Sequence, residues 1–455
     1  MSEQYLDTIA SISTANSTSA ISIIRVSGID SINIVNKIFK EKDLTTVPSH
    51  TIHYGHIYNP ENNEVVDEVL VSVFLAPKSY TAENTVEINS HGGSFVTNKV
   101  LELVLLNGAR LASPGEFTKR AFLNGRIDLT KAEAVMDVIK ADSDNSLKIA
   151  NNTLRGDVKE LVDDLRDRIF SIISRILVNI DYPEYDDVAE MVSNDIKPNV
   201  EGLLNDVKRC LDKAKVAKQI KNGISTAIVG KPNVGKSSLL NLLIAENKAI
   251  VTNIPGTTRD IVEGKINLNG VTLNLIDTAG IRETSDVVEQ IGVEKSVAAI
   301  NNADLVLFVV DASNLMDEED KKLEELIKDK KVIYIFNKSD LDIKLDKSIL
   351  NKGILINTID KNSINIIEKA ILDKVNTDQI DANIEAALTV ERQIEKMNDA
   401  YLSLQEAYNE CLNLSFIDLI ELPLRQAWVY LGEITGVVSN EDLLDEMFKQ
   451  FCLGK

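Results

Sequence analysis

The apolar positions change their period twice along the chain. Up to about residue 118, short β-rich runs alternate with turns. Residues 21–26 (ISIIRV), 69–75 (VLVSVFL) and 86–89 (VEIN) read as strands, and residues 96–106 read as a helix following Ser90-His91-Gly92-Gly93. That mixture predicts an α+β domain. From about Ala132 the period lengthens. Leu154, Val158, Leu161, Leu165, Ile169, Ile172, Ile176 and Ile180 recur at alternating spacings of three and four, one stripe on a helix of many turns that stops at Pro183. Val200, Leu203, Val207, Leu211 and Ala214 form a second stripe of the same period. Both read as helix-bundle core.

At Gly223 the texture changes again. Residues 226–229 (TAIV), 271–276 (VTLNLI), 305–310 (LVLFVV) and 332–336 (VIYIF) are short apolar runs, several of them separated by helical segments. The last two are almost continuously apolar, as strands covered on both faces should be. The pattern predicts an α/β domain with a mostly parallel sheet. After about Asn376 helical patterning returns. Neither helical stretch can bury its stripe alone, so the simplest organisation is one helical domain interrupted by the α/β domain. The expected division is 1–118, 119–222, 223–376 and 377–455.

Composition narrows the class. The chain has 455 residues, 44% hydrophobic and 26% charged, ordinary for a globular protein and ample for about three domains. With 49 basic and 70 acidic residues the formal charge is −21, which argues against holding nucleic acid on a generally basic surface but leaves room for a local patch. Cys210, Cys411 and Cys452 are too few and too scattered for a disulfide framework or a CxxC metal site, and they fit a reducing cytoplasm. No run reaches the ~18 apolar residues of a membrane span. The opening MSEQYLDTIA lacks the basic start of a secretory signal.

The chemistry begins at Gly230-Lys231-Pro232-Asn233-Val234-Gly235-Lys236-Ser237, which matches G-x-x-x-x-G-K-[ST] between the strand TAIV and an apolar-periodic helix. Backbone N–H groups of such a loop approach phosphate oxygens, the helix N-terminus adds partial positive charge, Lys236 reaches the β- and γ-phosphates and Ser237 can ligate Mg²⁺. Asp277-Thr278-Ala279-Gly280 ends the strand VTLNLI as a DxxG element that senses Mg²⁺ and the γ-phosphate. Asn337-Lys338-Ser339-Asp340 ends the strand VIYIF as NKxD. Its carboxylate can accept the N1 and N2 protons of guanine, a pair that adenine lacks, so the motif selects GTP. The order and spacing are those of a GTPase domain. A fifth element, usually Ser-Ala-Lys, is reduced here to Asn357-Thr358-Ile359. Ile281 follows DxxG where Ras-like enzymes place a water-orienting glutamine. Asn233 and the polar run 252–258 (TNIPGTT) suggest a monovalent cation beside the phosphates; the alternative is a plain switch loop. Thr258 is the natural second Mg²⁺ ligand.

At this point the chain resembles the MnmE (TrmE) family of tRNA modification GTPases over essentially its whole length. Residues 256–260 (GTTRD) and 277–283 (DTAGIRE) are shared with related ribosome-assembly GTPases. More discriminating are residues 110–139 (RLASPGEFTKRAFLNGRIDLTKAEAVMDVI), 180–184 (IDYPE) and the terminal 451–455 (FCLGK), which look like the family's domain junction and its CxGK signature. The resemblance implies an N-terminal folate-binding-like domain that pairs with a copy of itself, a helical domain and an inserted Ras-like P-loop GTPase domain.

Further implications follow from the family. The protein would act with the FAD-containing partner MnmG, as a heterotetramer, adding an aminomethyl-type group to C5 of the wobble uridine of certain tRNAs. The one-carbon unit would come from a tetrahydrofolate derivative in its 5-formyl or 5,10-methylene form. GTP would be bound by Asn233, Val234, Gly235, Lys236, Ser237, Ser238, Thr252, Thr257, Thr258, Asp277, Thr278, Ala279, Gly280, Asn337, Lys338 and Asp340. Mg²⁺ falls to Ser237 and Thr258. K⁺, which would stimulate hydrolysis, falls to Asn233, Thr252, Ile254 through its backbone, and Thr257. Glu289 aligns with the acid that directs the attacking water, and Cys452 takes part in the modification chemistry. Folate falls to Arg25, Glu87, Arg126 and Lys455. The chain departs from the family pattern at residues 14–19 (TANSTS), where a Pro-Pro-Gly-rich loop is usual, at Thr81-Ala82-Glu83-Asn84, where Thr-Gly-Glu-Asp is usual, at Ser90 and at Arg126, often lysine. A switch GTPase that binds RNA or ribosomes without a modification role is the competing reading of the shared motifs.

Overall fold

The computed structural model describes residues 7–15, 17–181, 192–246, 262–268, 270–276, 300–375, 386–413, 417–437, 444, 447–449, 451 and 454. It divides into two compact units. One comprises Met1–Met136, Val162–Ser171 and Arg425–Lys455, the other Asp137–Leu161 and Ile172–Leu424.

The first unit is built on β1 (Ile9–Ile12), β2 (Ile21–Ser27), β3 (Thr51–Tyr58), β4 (Val65–Phe74), β5 (Thr85–His91) and β6 (Arg110–Leu111), in the spatial order β3-β4-β5-β2-β1-β6. All neighbours are antiparallel except β1 and β6. Helices α1 (Ser31–Ile38) and α2 (Ser94–Leu106) pack through Ile34, Val35, Ile38, Val100, Leu103 and Val104 onto one face, lined by Ile24, Val26, Val71, Val73, Val86 and Ile88. Successive strand residues point to opposite faces, so Arg25 and Glu87 project away from those helices. They are also direct register partners across β2 and β5. Helix α3 (Glu116–Leu123) carries Phe117, which joins Ile9, Ala112 and Tyr80 in a small separate cluster.

The long helical stripe is interrupted. Helix α4 (Leu129–Lys140) is followed by α5 (Asp144–Arg155), which ends at Gly156 with φ 117°, and α6 runs over Asp157–Asp181. The continuous helix expected from the apolar spacing is therefore two helices. The left-handed glycine turns the chain while the three-and-four spacing carries on across it. Helix α7 (Lys197–Asn222) buries Val200, Leu203, Val207 and Ala214 of the second stripe. The apolar pattern after residue 376 forms α12 (Glu391–Leu412) and α13 (Ile417–Thr435).

Between these lies a second six-stranded sheet: β7 (Ile224–Val229), β8 (Val262–Leu268), β9 (Val271–Ile276), β10 (Leu305–Asp311), β11 (Lys331–Asn337) and β12 (Gly353–Leu355), in the order β12-β11-β10-β7-β9-β8. Every pairing is parallel except β8 with β9. Among the helices of this segment are α8 (Lys236–Glu246), α9 (Glu318–Ile327), α10 (Lys347–Leu350) and α11 (Ser363–Val375). Side chains of one sheet face join a core with Leu239, Leu243, Ile367 and Ile371, and those of the other pack with Ile300 and Ile327. Burial of β10 on both faces explains its unbroken LVLFVV. No helix among the described residues is long and apolar enough to cross a membrane.

Candidate functional site

The parallel sheet places the described candidate nucleotide residues, those of the loop after β7 and of the segment after β11, at the C-terminal ends of its strands, where ligands of open α/β sheets bind. β7 ends at Val229, the loop follows, and α8 opens on Lys236. Asn233 holds φ at 65° and Gly235 at 104°. A side chain at Gly235 would land on the Asn337 amide, so glycine is required there. Lys236 Nζ donates to the carbonyls of Gly230 and Lys231, both at 2.7 Å, inside the loop. Burial pushes its ammonium below the ordinary value, with the charge of Glu319 opposing. Ser237 and Ser238 are exposed on the first turn of α8, and Val234 is buried beneath the loop.

One side chain joins the separate nucleotide segments. Asn337, 1% exposed, donates from Nδ2 to the carbonyl of Val234 at 2.8 Å and accepts at Oδ1 from the amide of Thr358 at 3.0 Å. It thereby fixes the NKxD segment, the P-loop and the fifth segment to one another. Asn357 accepts the amide of Ile359 and its backbone is held by Ser363, so this loop is organised without the usual Ser-Ala-Lys sequence. Lys338, at φ 65°, bonds Asp311 Oδ2 at 2.6 Å. Burial works to raise the Asp311 carboxyl, but hydrogen bonds from Lys338 and Ser313 and the charge of Lys338 outweigh it and hold it at about 2. Asp340 is exposed at the end of the motif, open to a base edge.

Thr252, Ile254, Thr257, Thr258, Asp277, Thr278, Ala279, Gly280, Glu289, Cys452 and Lys455 lie outside the described residues. Of the other cysteines, burial pushes the Cys411 thiol up to about 11 and raises that of Cys210, so neither is poised as a thiolate. No cluster of three or more metal-ligating side chains of the His, Cys, Asp and Glu type occurs among the described residues.

The remaining candidates meet in the first unit. Arg25 Nε donates to Glu87 Oε1 at 2.8 Å, and its second terminal nitrogen reaches the same oxygen at 2.8 Å. Arg25 and Arg126 each lie 5.3 Å from the centroid of the Tyr80 ring. Arg25 also reaches the carbonyl of Gly454 at 3.4 Å, as does Ser13 Oγ at 3.2 Å. Gly454, at φ 89°, fits against Ile12 and Ser13 where any side chain would collide with backbone. This anchors the next-to-last residue beside Arg25. A carboxylate that can accept from a pterin N–H edge, an aromatic ring, and guanidiniums that can meet ligand carboxylates fit a tetrahydrofolate.

Sequence reasoning missed three features. Tyr80 carried no signal beyond its place between two strands. Arg120 was not singled out within the stretch 110–139, yet it is 1% exposed and ion-paired with Asp7, Glu83 and Glu116. Lys231 fills an unspecified position of the loop motif, yet it pairs with Asp317 at 2.6 Å and Asp320 at 2.7 Å.

Comparison with known proteins agrees in extent. The MnmE helical domain family matches residues 129–452, and the family described as GTP-binding protein TrmE N-terminus matches residues 8–126. The chain is 49% identical over 455 residues to proteins named tRNA modification GTPase MnmE from Bacillus thuringiensis (strain Al Hakam) and from Bacillus anthracis, covering 99% of both chains in each case. Part of it also resembles solved structures. The crystal structure of Era from Aquifex aeolicus bound to GDP and AlF4⁻ is 33% identical, over 33% of this chain and 56% of that one, with a TM-score of 0.26. The G domain of the FeoB iron transporter of T. maritima is 28% identical, over 33% and 96%, with a TM-score of 0.26.

Proposed function

This chain belongs to the MnmE family of tRNA modification GTPases, and on that premise we propose that it is a potassium-stimulated GTP hydrolase of a tRNA-modifying complex. With the FAD-containing partner MnmG it adds an aminomethyl-type group to C5 of the wobble uridine of certain tRNAs. The carrying observation is Asn337, whose amide joins the P-loop to the guanine-reading segment and to Thr358.

The chemistry follows from these positions. The loop N–H groups and Lys236 would stabilise charge that develops on the β–γ bridge and γ-phosphate oxygens as the phosphoryl group leaves. A triphosphate replaces the two loop carbonyls as the acceptor for Lys236. Asp340 accepts from guanine N1 and N2; against adenine its carboxylate would stay unpaired. Ser237 and Thr258 would hold Mg²⁺, which when bound neutralises phosphate charge; hydroxyl oxygen suits that hard cation. Asn233, Thr252, the Ile254 backbone and Thr257 would hold K⁺, which supplies further positive charge beside the phosphates. Glu289 orients the attacking water. Arg25, Glu87, Arg126 and Lys455 would hold the tetrahydrofolate derivative, the source of the one-carbon unit, with Cys452 in the modification step. A cytoplasmic homodimer, in a heterotetramer with MnmG, is the working form.

Turnover of GTP and of ATP in KCl and in NaCl tests the hydrolase. GTP should be hydrolysed, ATP should not, and KCl should raise GTP turnover by about tenfold or more, as for a lost or gained transition-state charge. Equal rates in the two salts would remove the potassium assignment.

A further inference from the structure

We propose that Tyr80 is the positioning residue of the folate site, an inference that rests on the folate reading above. Its ring meets both candidate guanidiniums, Arg25 and Arg126, at 5.3 Å from each. The negative face of an aromatic ring attracts each guanidinium. The ring is itself held. Tyr80 Oη lies 2.8 Å from Thr118 Oγ1, a fully buried hydroxyl on α3. The same helix is fixed by Arg120, which bonds the Asp7 carbonyl at 2.8 Å and Glu83 at 3.2 Å.

The two cations differ in what they can offer. Arg25 is neutralised by Glu87 and packs 5.7 Å from the Phe117 ring. Arg126 is exposed and pairs with no carboxylate among the described residues. A long exposed arginine in water samples many rotamers, and holding it costs side-chain entropy. Contact with Tyr80 keeps its guanidinium against the same ring that Arg25 meets, available to an anionic group of the ligand. Tyr80 thus acts through the arginines, and its contribution is the π face and not its bulk.

Isothermal titration of the full-length protein with 5-formyltetrahydrofolate tests this with Tyr80→Phe, Tyr80→Leu and Tyr80→Met. Phe keeps the face and loses only the bond to Thr118, so its affinity should stay within about threefold of the natural chain. Leu and Met keep an apolar side chain without the face, so they should bind about tenfold more weakly or worse. Leu and Met binding as tightly as Phe would overturn the proposal and leave Tyr80 a packing residue. No binding by the natural chain would overturn the folate reading itself, and this inference with it.

Discussion

Ala82 holds φ at 62°, in the left-handed region, where the family resemblance expects glycine. A Cβ there costs roughly 1 kcal/mol, partly offset because glycine loosens the unfolded chain. Ala82→Gly is therefore expected to stabilise the protein by about 0.5 kcal/mol, read from the urea midpoint. Asp311 gives a pH-dependent case. Its carboxyl sits at about 2 in the folded chain against an ordinary 3.8. Folding therefore favours the ionised form. That stabilisation is complete above the ordinary value and is lost as pH falls through about 2. Lys338→Met removes the main partner, and the Asp311 carboxyl followed by NMR should then titrate closer to 3.8. The P-loop, DxxG and NKxD residues were legible because their chemistry sits in consecutive positions at strand ends. Tyr80 and Arg120 were not, because their partners, Arg25, Arg126, Asp7 and Glu83, come from distant parts of the chain and meet only once the sheet and α3 are built.

The β8–β9 hairpin shows what element-level pairing adds. Asp142, between α4 and α5, accepts from Lys265 Nζ at 2.8 Å and from Thr272 Oγ1 at 3.1 Å. The turn at Gly270, φ 83°, packs against Asn145, whose amide leaves 2.8 Å for an added Cβ. β9 ends at Ile276, immediately before the Asp277 motif, so the strand that delivers that motif is gripped by the helical segment. Asp142→Ala leaves the buried Thr272 hydroxyl without this acceptor and is expected to cost about 1–2 kcal/mol. Hydrogen exchange of the β8 and β9 amides should quicken, while α1 and α2 amides should not change. Strands with continuous apolar runs, such as β10 and β11, were legible from period and composition. β1, β3 and β8 were not singled out, because their mixed polar patterns owe strand geometry to paired neighbours. The break at Gly156 was hidden by a stripe that keeps its spacing through the turn.

Across the whole molecule the sequence reading anticipated an α+β part, helical segments and a mostly parallel α/β part, and each is present. The two compact units gather segments far apart in the chain, including Val162–Ser171 and Arg425–Lys455 with the N-terminal part, a grouping that no local period carries. The charge of −21 constrains partner use: under the proposed function, a polyanionic tRNA would have to be held at a restricted surface. Whether GTP turnover here serves tRNA modification is decided by mass spectrometry of the wobble nucleoside in cells deleted for this gene and complemented with the natural chain or with Lys236→Ala. The C5-modified uridine should vanish on deletion, return with the natural chain and stay absent with Lys236→Ala. Unchanged wobble uridine in the deleted cells would contradict the assignment.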